Sequence, residues 1–144
     1  MLRTMTEVPL DAPEYARWVA EAEGALESAG REAAAGAHNW ACFLAEQSGQ
    51  LAVKGLLHGL GLAPWGHDLD GLGRAIADAG IAVPIATSQA MARLGRHYIP
   101  ARYPDAHAAG PAGDHYTAAD SAAALADADA VLTFVRGVWS EVGG

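Results

Sequence analysis

The sequence predicts an all-α fold, an antiparallel up-and-down bundle of four to five helices. Three observations carry this. Alanine and leucine dominate long stretches and favour helix. Apolar residues recur at three- and four-residue spacing in segments separated by Gly and Pro. No segment shows the pattern of a strand. A chain of 144 residues suits one domain around one core, so residues 1–144 are expected to form a single helical unit with residues 1–10 as a flexible N-terminal tail.

The first helix is predicted over about residues 12–29. Asp11 suits the N-cap, Pro13 the first turn and Glu14 the helix dipole, and Tyr15, Trp18, Val19, Ala22 and Leu26 recur at helical spacing. Gly30 is expected to end it, with Ala35-Gly36-Ala37 as the turn. From Trp40 to Leu60 the apolar residues populate more than one face, which describes a central helix contacted from several sides. The run Gly59-Leu-Gly-Leu-Ala-Pro-Trp-Gly66 breaks it. A shorter helix follows, capped by Asp68, striped by Leu69, Leu72 and Ile76, and ended by Gly80. Thr87 or Ser88 is expected to cap a fourth helix, with Met91, Leu94 and Tyr98 inward and Gln89, Arg93, Arg96 and His97 on another face. Prolines 100, 104 and 111 with glycines 110 and 113 predict an irregular loop over residues 99–116, and long loops in compact domains are disproportionately functional. Thr117-Ala-Ala-Asp120 reads as a capping box for a last helix through Leu125, Ala128, Leu132, Val135 and Trp139 to about residue 141.

The net charge of −8 argues against general binding to a phosphate backbone, which calls for excess Lys and Arg. The cations are nevertheless uneven. Lys54 is the only lysine, whereas Arg93, Arg96 and Arg102 cluster with His97 and His107, so an anion site is expected there. The single cysteine, Cys42, excludes an internal disulfide framework and reads as a small buried hydrophobe. Met1-Leu-Arg-Thr-Met-Thr leads into no apolar signal segment and no apolar run spans a bilayer, so a cytoplasmic protein without membrane association is expected.

Arg102 and His107 are the leading candidates for chemistry. Arg is a permanent cation whose planar donors match phosphate oxygens, and His ordinarily exchanges a proton near neutrality. On a continuous helix their five-residue offset points them about 140° apart, but Pro104 interrupts that continuity, and a turn or a second copy of the chain can bring them together. Spacing alone equally allows Arg102 to pair with Asp105 and His107 to be a plain loop residue. Lys54 stands one turn after Gln50 and two after Glu46 or Gln47, a narrow polar track on the central helix; it is either a snorkelling side chain or part of a polar groove. His67 either assists the cap and packs on Trp65 or contacts a ligand at the helix start. His97, Asp105, His107, Asp114 and His115 have suitable ligand types but no metal-ligand spacing, and neither a phosphate-binding nor a dinucleotide-binding glycine loop occurs, so no metal and no cofactor are expected. Tyr98, Tyr103 and Tyr116 bracket the loop, as anchors to the core or as a stacking surface for a base.

Several segments together carry a family pattern: Trp18; Trp40-Ala-Cys-Phe43; Ala45-Glu-Gln-Ser-Gly-Gln-Leu-Ala-Val-Lys-Gly-Leu-Leu57; Gly66-His-Asp-Leu69; Tyr98-Ile99 with Arg102-Tyr-Pro-Asp-Ala106; His115-Tyr-Thr117; and Phe134-Val135. In this order the chain resembles the HEPN-domain proteins, small helical bundles often encoded beside a minimal nucleotidyltransferase. The resemblance implies a homodimer whose loops and helix ends meet across a two-fold axis. It further implies a toxin-like, metal-independent endoribonuclease site made by an Arg and a His four to six residues apart, matched here by Arg102 and His107, with the nucleotidyltransferase as antitoxin. Arg93, Arg96, His97, Tyr103, Asp105, Lys54 and His67 are the accompanying candidates for contacting RNA or a nucleotide. The alternative is a non-catalytic module that binds a nucleotide or presents its surface to the nucleotidyltransferase.

Three positions depart from the pattern. The tyrosine that some members carry two residues after the histidine is Ala109, the small polar residue after the arginine is Tyr103, and a glutamate usual on the central helix is Gln50.

Overall fold

In a computed structural model of the chain, residues 8–143 are described, and they form five α-helices and no strand. These are α1 Ala12–Ala34, α2 His38–Gly59, α3 Leu69–Asp78, α4 Ile85–Gly95 and α5 Ala118–Val142. Most of the expected tail, residues 1–7, lies outside the described residues. Beyond it, Leu10 packs on the core, and the Asp11 amide donates to the Gly59 carbonyl at 2.8 Å.

Helix starts follow local chemistry. Asp11 accepts from the Glu14 amide at 3.1 Å as the expected N-cap. Thr117 and Asp120 make the full reciprocal capping box at the start of α5. Three boundaries and one cap differ from expectation. α4 stops at Gly95, so Arg96, His97 and Tyr98 lie in the following turn and not on the helix. α1 runs through Gly30 to Ala34, because a mid-helix glycine costs only about 1 kcal/mol against alanine and the following residues are good helix formers; the turn comes at Gly36, whose φ of 83° is the left-handed conformation that favours glycine. α4 begins at Ile85 after Pro84, not at a Thr87 or Ser88 cap, and Thr87 is buried one turn in. Asp68 occupies the N-cap position of α3 without accepting a capping bond; its carboxylate lies 3.6 Å from Arg74 instead.

The long, multiply contacted α2 is the centre of the bundle, packed between α1 and α5, with α4 laid against α5 and α3 against α2 and α4. Val53, Leu56, Leu57, Leu60, Met91, Leu94, Val131, Leu132 and Val135 fill the core. Burying each such side chain is worth roughly 1.5–3 kcal/mol. Glycine lets α1 approach α2: a Cβ at Gly55 would stand 2.8 Å from Trp18 Cβ. Tyr15 and Trp139 stack at 4.1 Å and clamp α1 to α5. Cys42 is buried as expected, and burial pushes its thiol up to about 12.

Candidate functional site

The segment after α4 is tied down more firmly than an irregular loop. It turns through residues 96–102, forms short 3-10 turns at Pro104–Ala106 and Ala112–His115, and enters α5 through Thr117. Asn39, buried in the first turn of α2, donates to the Ala101 carbonyl at 2.9 Å and fixes the backbone just before Arg102.

Arg102 is half-buried. Its Nε donates to the Tyr98 carbonyl at 2.8 Å, and its Cζ lies 4.4, 4.5 and 4.9 Å from the ring centres of Phe43, Tyr98 and Tyr103. Aromatic faces attract a guanidinium, so three rings hold the cation while its terminal nitrogens have no hydrogen-bond partner among the described residues. The Asp105 pairing that spacing allowed is not formed; Asp105 is exposed.

His107 donates from Nε2 to the Pro100 carbonyl at 2.7 Å. A carbonyl only accepts, so the proton is on Nε2 and the neutral ring keeps its lone pair on Nδ1. Arg102 and His107 are thereby tethered to carbonyls two residues apart in one turn. His115 stacks on His107 with centroids 4.2 Å apart and planes 2° from parallel, and it too donates from Nε2, to the Ala109 carbonyl at 2.6 Å. Tyr116 meets His107 edge-on at 6.3 Å, and its hydroxyl lies 3.3 Å from His97 Nδ1. Burial lowers His97, opposed by Asp120 and Asp127, and pushes Tyr116 up to about 12. The phenol therefore donates and the neutral imidazole accepts.

Behind the arginine, Glu46 is 0% exposed and accepts from the side-chain amides of Gln47 and Gln50. Burial raises this carboxyl; the two amides and the nearby cations Arg102 and Lys54 pull it back. Lys54 is half-buried and lowered by burial, with Glu46 opposing. Gln50, where the family pattern expects glutamate, turns its other amide atom to His67 Nδ1 at 3.2 Å. His67 stacks on Tyr98 at 5.2 Å, not on Trp65, which is 89% exposed. His67, Asp68, Asp70, Arg96, Tyr98 and Pro100 are among the residues lining a cleft of ≈ 580 Å³ beside the turn.

The structure therefore gathers Arg102, Tyr103, Lys54 and His67 around the Tyr98 ring and the buried Glu46, and joins His107 to His97 through Tyr116. Arg96 stands exposed at the cleft. Arg93 is committed elsewhere, to a bidentate pair with Asp127 of α5 at 2.9 Å. The sequence points to Glu46 only as part of a polar track, to Tyr98 only as an anchor or stacking ring, to His115 only as a ligand type, and to Phe43 only within the family pattern. Glu46 has a local signal, since it opens the Glu46, Gln50, Lys54 track; the meeting of Phe43 with Arg102 has none, because it is decided only by packing. No three His, Cys, Asp or Glu side chains cluster as a metal site among the described residues, and no described helix is long and apolar enough to cross a membrane.

A five-helix bundle bearing an Arg/His pair on the loop before its last helix defines a class that comparison makes specific. The HEPN domain profile matches residues 15–138. TT1696 from Thermus thermophilus superposes with a TM-score of 0.81 at 38% identity, over 86% of this chain and 97% of that one. ST0689, an archaeal HEPN homologue, gives 0.71 at 31% identity over 86% and 96%. The HEPN domain protein tm0613 from Thermotoga maritima, 18% identical over 86% and 98%, shares the fold with a TM-score of 0.71. No curated protein sequence matches. The chain belongs to the HEPN-domain family.

Proposed function

We propose that this HEPN-domain protein is a toxin-like endoribonuclease that cleaves RNA with Arg102 and His107 and without a catalytic metal. It acts as a cytoplasmic homodimer restrained by a minimal nucleotidyltransferase antitoxin. The observation that carries the reading is the tethering of both side chains to one turn with their reactive atoms left open: the terminal nitrogens of Arg102 and Nδ1 of His107. In this mechanism Arg102 grips the scissile phosphate and stabilises the charge that develops on it. His107 Nδ1 takes the proton of the RNA 2′-hydroxyl, whose oxygen attacks the adjacent phosphorus. RNA cleavage is expected to persist in EDTA and to fall by roughly 10²–10⁴-fold in His107→Ala, with a comparable loss in Arg102→Ala. Cleavage abolished by EDTA, or unchanged in His107→Ala, refutes it.

A second reading has its own observation. The Tyr103 ring lies over the Arg102 guanidinium and is 46% exposed, which suits a non-catalytic module that binds a nucleotide or the nucleotidyltransferase. That reading expects binding without RNA turnover.

A further inference from the structure

The site as proposed contains a base but no acid. Cleavage by the 2′-hydroxyl breaks the bond between phosphorus and the 5′-oxygen, and that oxygen leaves as a poor alkoxide unless it receives a proton. A second imidazole, that of His115, is stacked on His107.

Resting on the endoribonuclease reading, we infer that His115 is the general acid of the same site, a second catalytic residue supplied by the 3-10 turn before α5. Three features of the geometry carry this. The His107 and His115 rings are 4.2 Å apart and parallel within 2°. Each is pinned through its Nε2–H to a backbone carbonyl, Pro100 for one and Ala109 for the other, so each has the same nitrogen, Nδ1, left for proton transfer. His115 is also the exposed member and His107 the half-buried one, which leaves His115 open to a departing RNA strand.

The proton balance closes within the pair. His107 enters neutral and His115 enters as the imidazolium. The 2′-O–H proton passes to Nδ1 of His107 as the bond from the 2′-oxygen to phosphorus forms. The bond from phosphorus to the 5′-oxygen breaks, and the electron pair left on that oxygen takes the proton from Nδ1 of His115. The products are a 2′,3′-cyclic phosphate and a 5′-hydroxyl, with His107 now cationic and His115 neutral. Water returns the two rings to their starting states. The stack carries one positive charge before and after the step, so two adjacent cations are never required.

The test uses an RNA in which the 5′-oxygen at the cleavage point is replaced by sulfur, a leaving group that departs as thiolate without needing a proton. On ordinary RNA, His115→Ala and His115→Gln are expected to lose roughly 10²–10³-fold in rate; the glutamine variant keeps a donor for the Ala109 carbonyl and controls for a loosened loop. On the sulfur-containing RNA both variants are expected to recover to within about tenfold of the parent protein, while His107→Ala remains slow. Normal cleavage of ordinary RNA by both His115 variants, or no recovery on the sulfur-containing RNA, overturns the inference and leaves the endoribonuclease reading standing. If the parent protein cleaves neither RNA, the endoribonuclease reading fails and the inference falls with it.

Discussion

Gln50 Nε2 donates at 2.5 Å to Oε2 of Glu46, one turn earlier in α2, and both side chains are buried. This pair connects the bundle interior to the candidate site, since Gln50 also meets His67 and Glu46 faces Arg102 and Lys54. Removing the carboxylate leaves two amide donors without an acceptor and two cations without their counter-charge. A buried donor left unsatisfied costs about 1–3 kcal/mol, which applies in full to Gln50 and only in part to the less buried Gln47. Glu46→Ala is therefore expected to lose about 3 kcal/mol of unfolding free energy in denaturant titration, and Glu46→Gln, which keeps one acceptor and the volume, clearly less. Equal stability of Glu46→Ala and the parent protein contradicts the role given to this carboxylate.

His97 makes stability depend on pH. Burial holds its folded-state value below the ordinary 6.5, with Asp120 and Asp127 opposing and Arg96 assisting. The unfolded chain therefore binds the proton more readily than the folded one. The sign follows: this contribution is present above about 6.5 and is lost as pH falls toward the lower folded-state value. Thermal melts of the parent protein should show Tm declining from pH 7.5 to 5.5 more steeply than in His97→Asn, which keeps an acceptor for the Tyr116 hydroxyl. Parallel curves for the two proteins count against it.

Tyr103 occupies the position where the family pattern has a small polar residue, and its ring covers the Arg102 guanidinium from 4.9 Å. A partly exposed cation–π contact is worth about 0.5–1 kcal/mol. Tyr103→Ser frees that face, so affinity for a short RNA is expected to rise roughly threefold in fluorescence anisotropy, with little change in melting temperature. A fall in affinity instead marks Tyr103 as a direct contact to the RNA.

Much of the secondary structure was legible because helix boundaries answer to local chemistry. The Asp11 cap and the Thr117–Asp120 box operate within one turn, and both appear as read. The end of α1 departs from the sequence pattern because Gly30 has the composition of a stop, yet nothing in the chain there forces a left-handed residue until Gly36. The start of α4 departs from it for a related reason. Thr87 is a good capping residue in isolation, but the helix begins after Pro84 and buries it.

The candidate site divides along the same line. Arg102, His107 and the loop that carries them stood out by residue type, spacing and the family pattern. Their surroundings did not. Composition gives Arg102 a partner in Asp105, whereas the fold gives it Phe43, Tyr98 and Tyr103. The arginines of α4 look alike in sequence, but Arg93 is spent on Asp127 and Arg96 opens onto the cleft.

By itself, then, the sequence determined the helical bundle, the caps of α1 and α5, the loop that carries Arg102 and His107, and the family, because periodicity, capping and motif order are properties of neighbouring residues. Only the tertiary structure decided that Glu46 sits behind Arg102, that Gln50 reaches His67, and that His115 lies flat against His107. Each of those meetings joins side chains from separate turns or helices, and each depends on how the bundle packs.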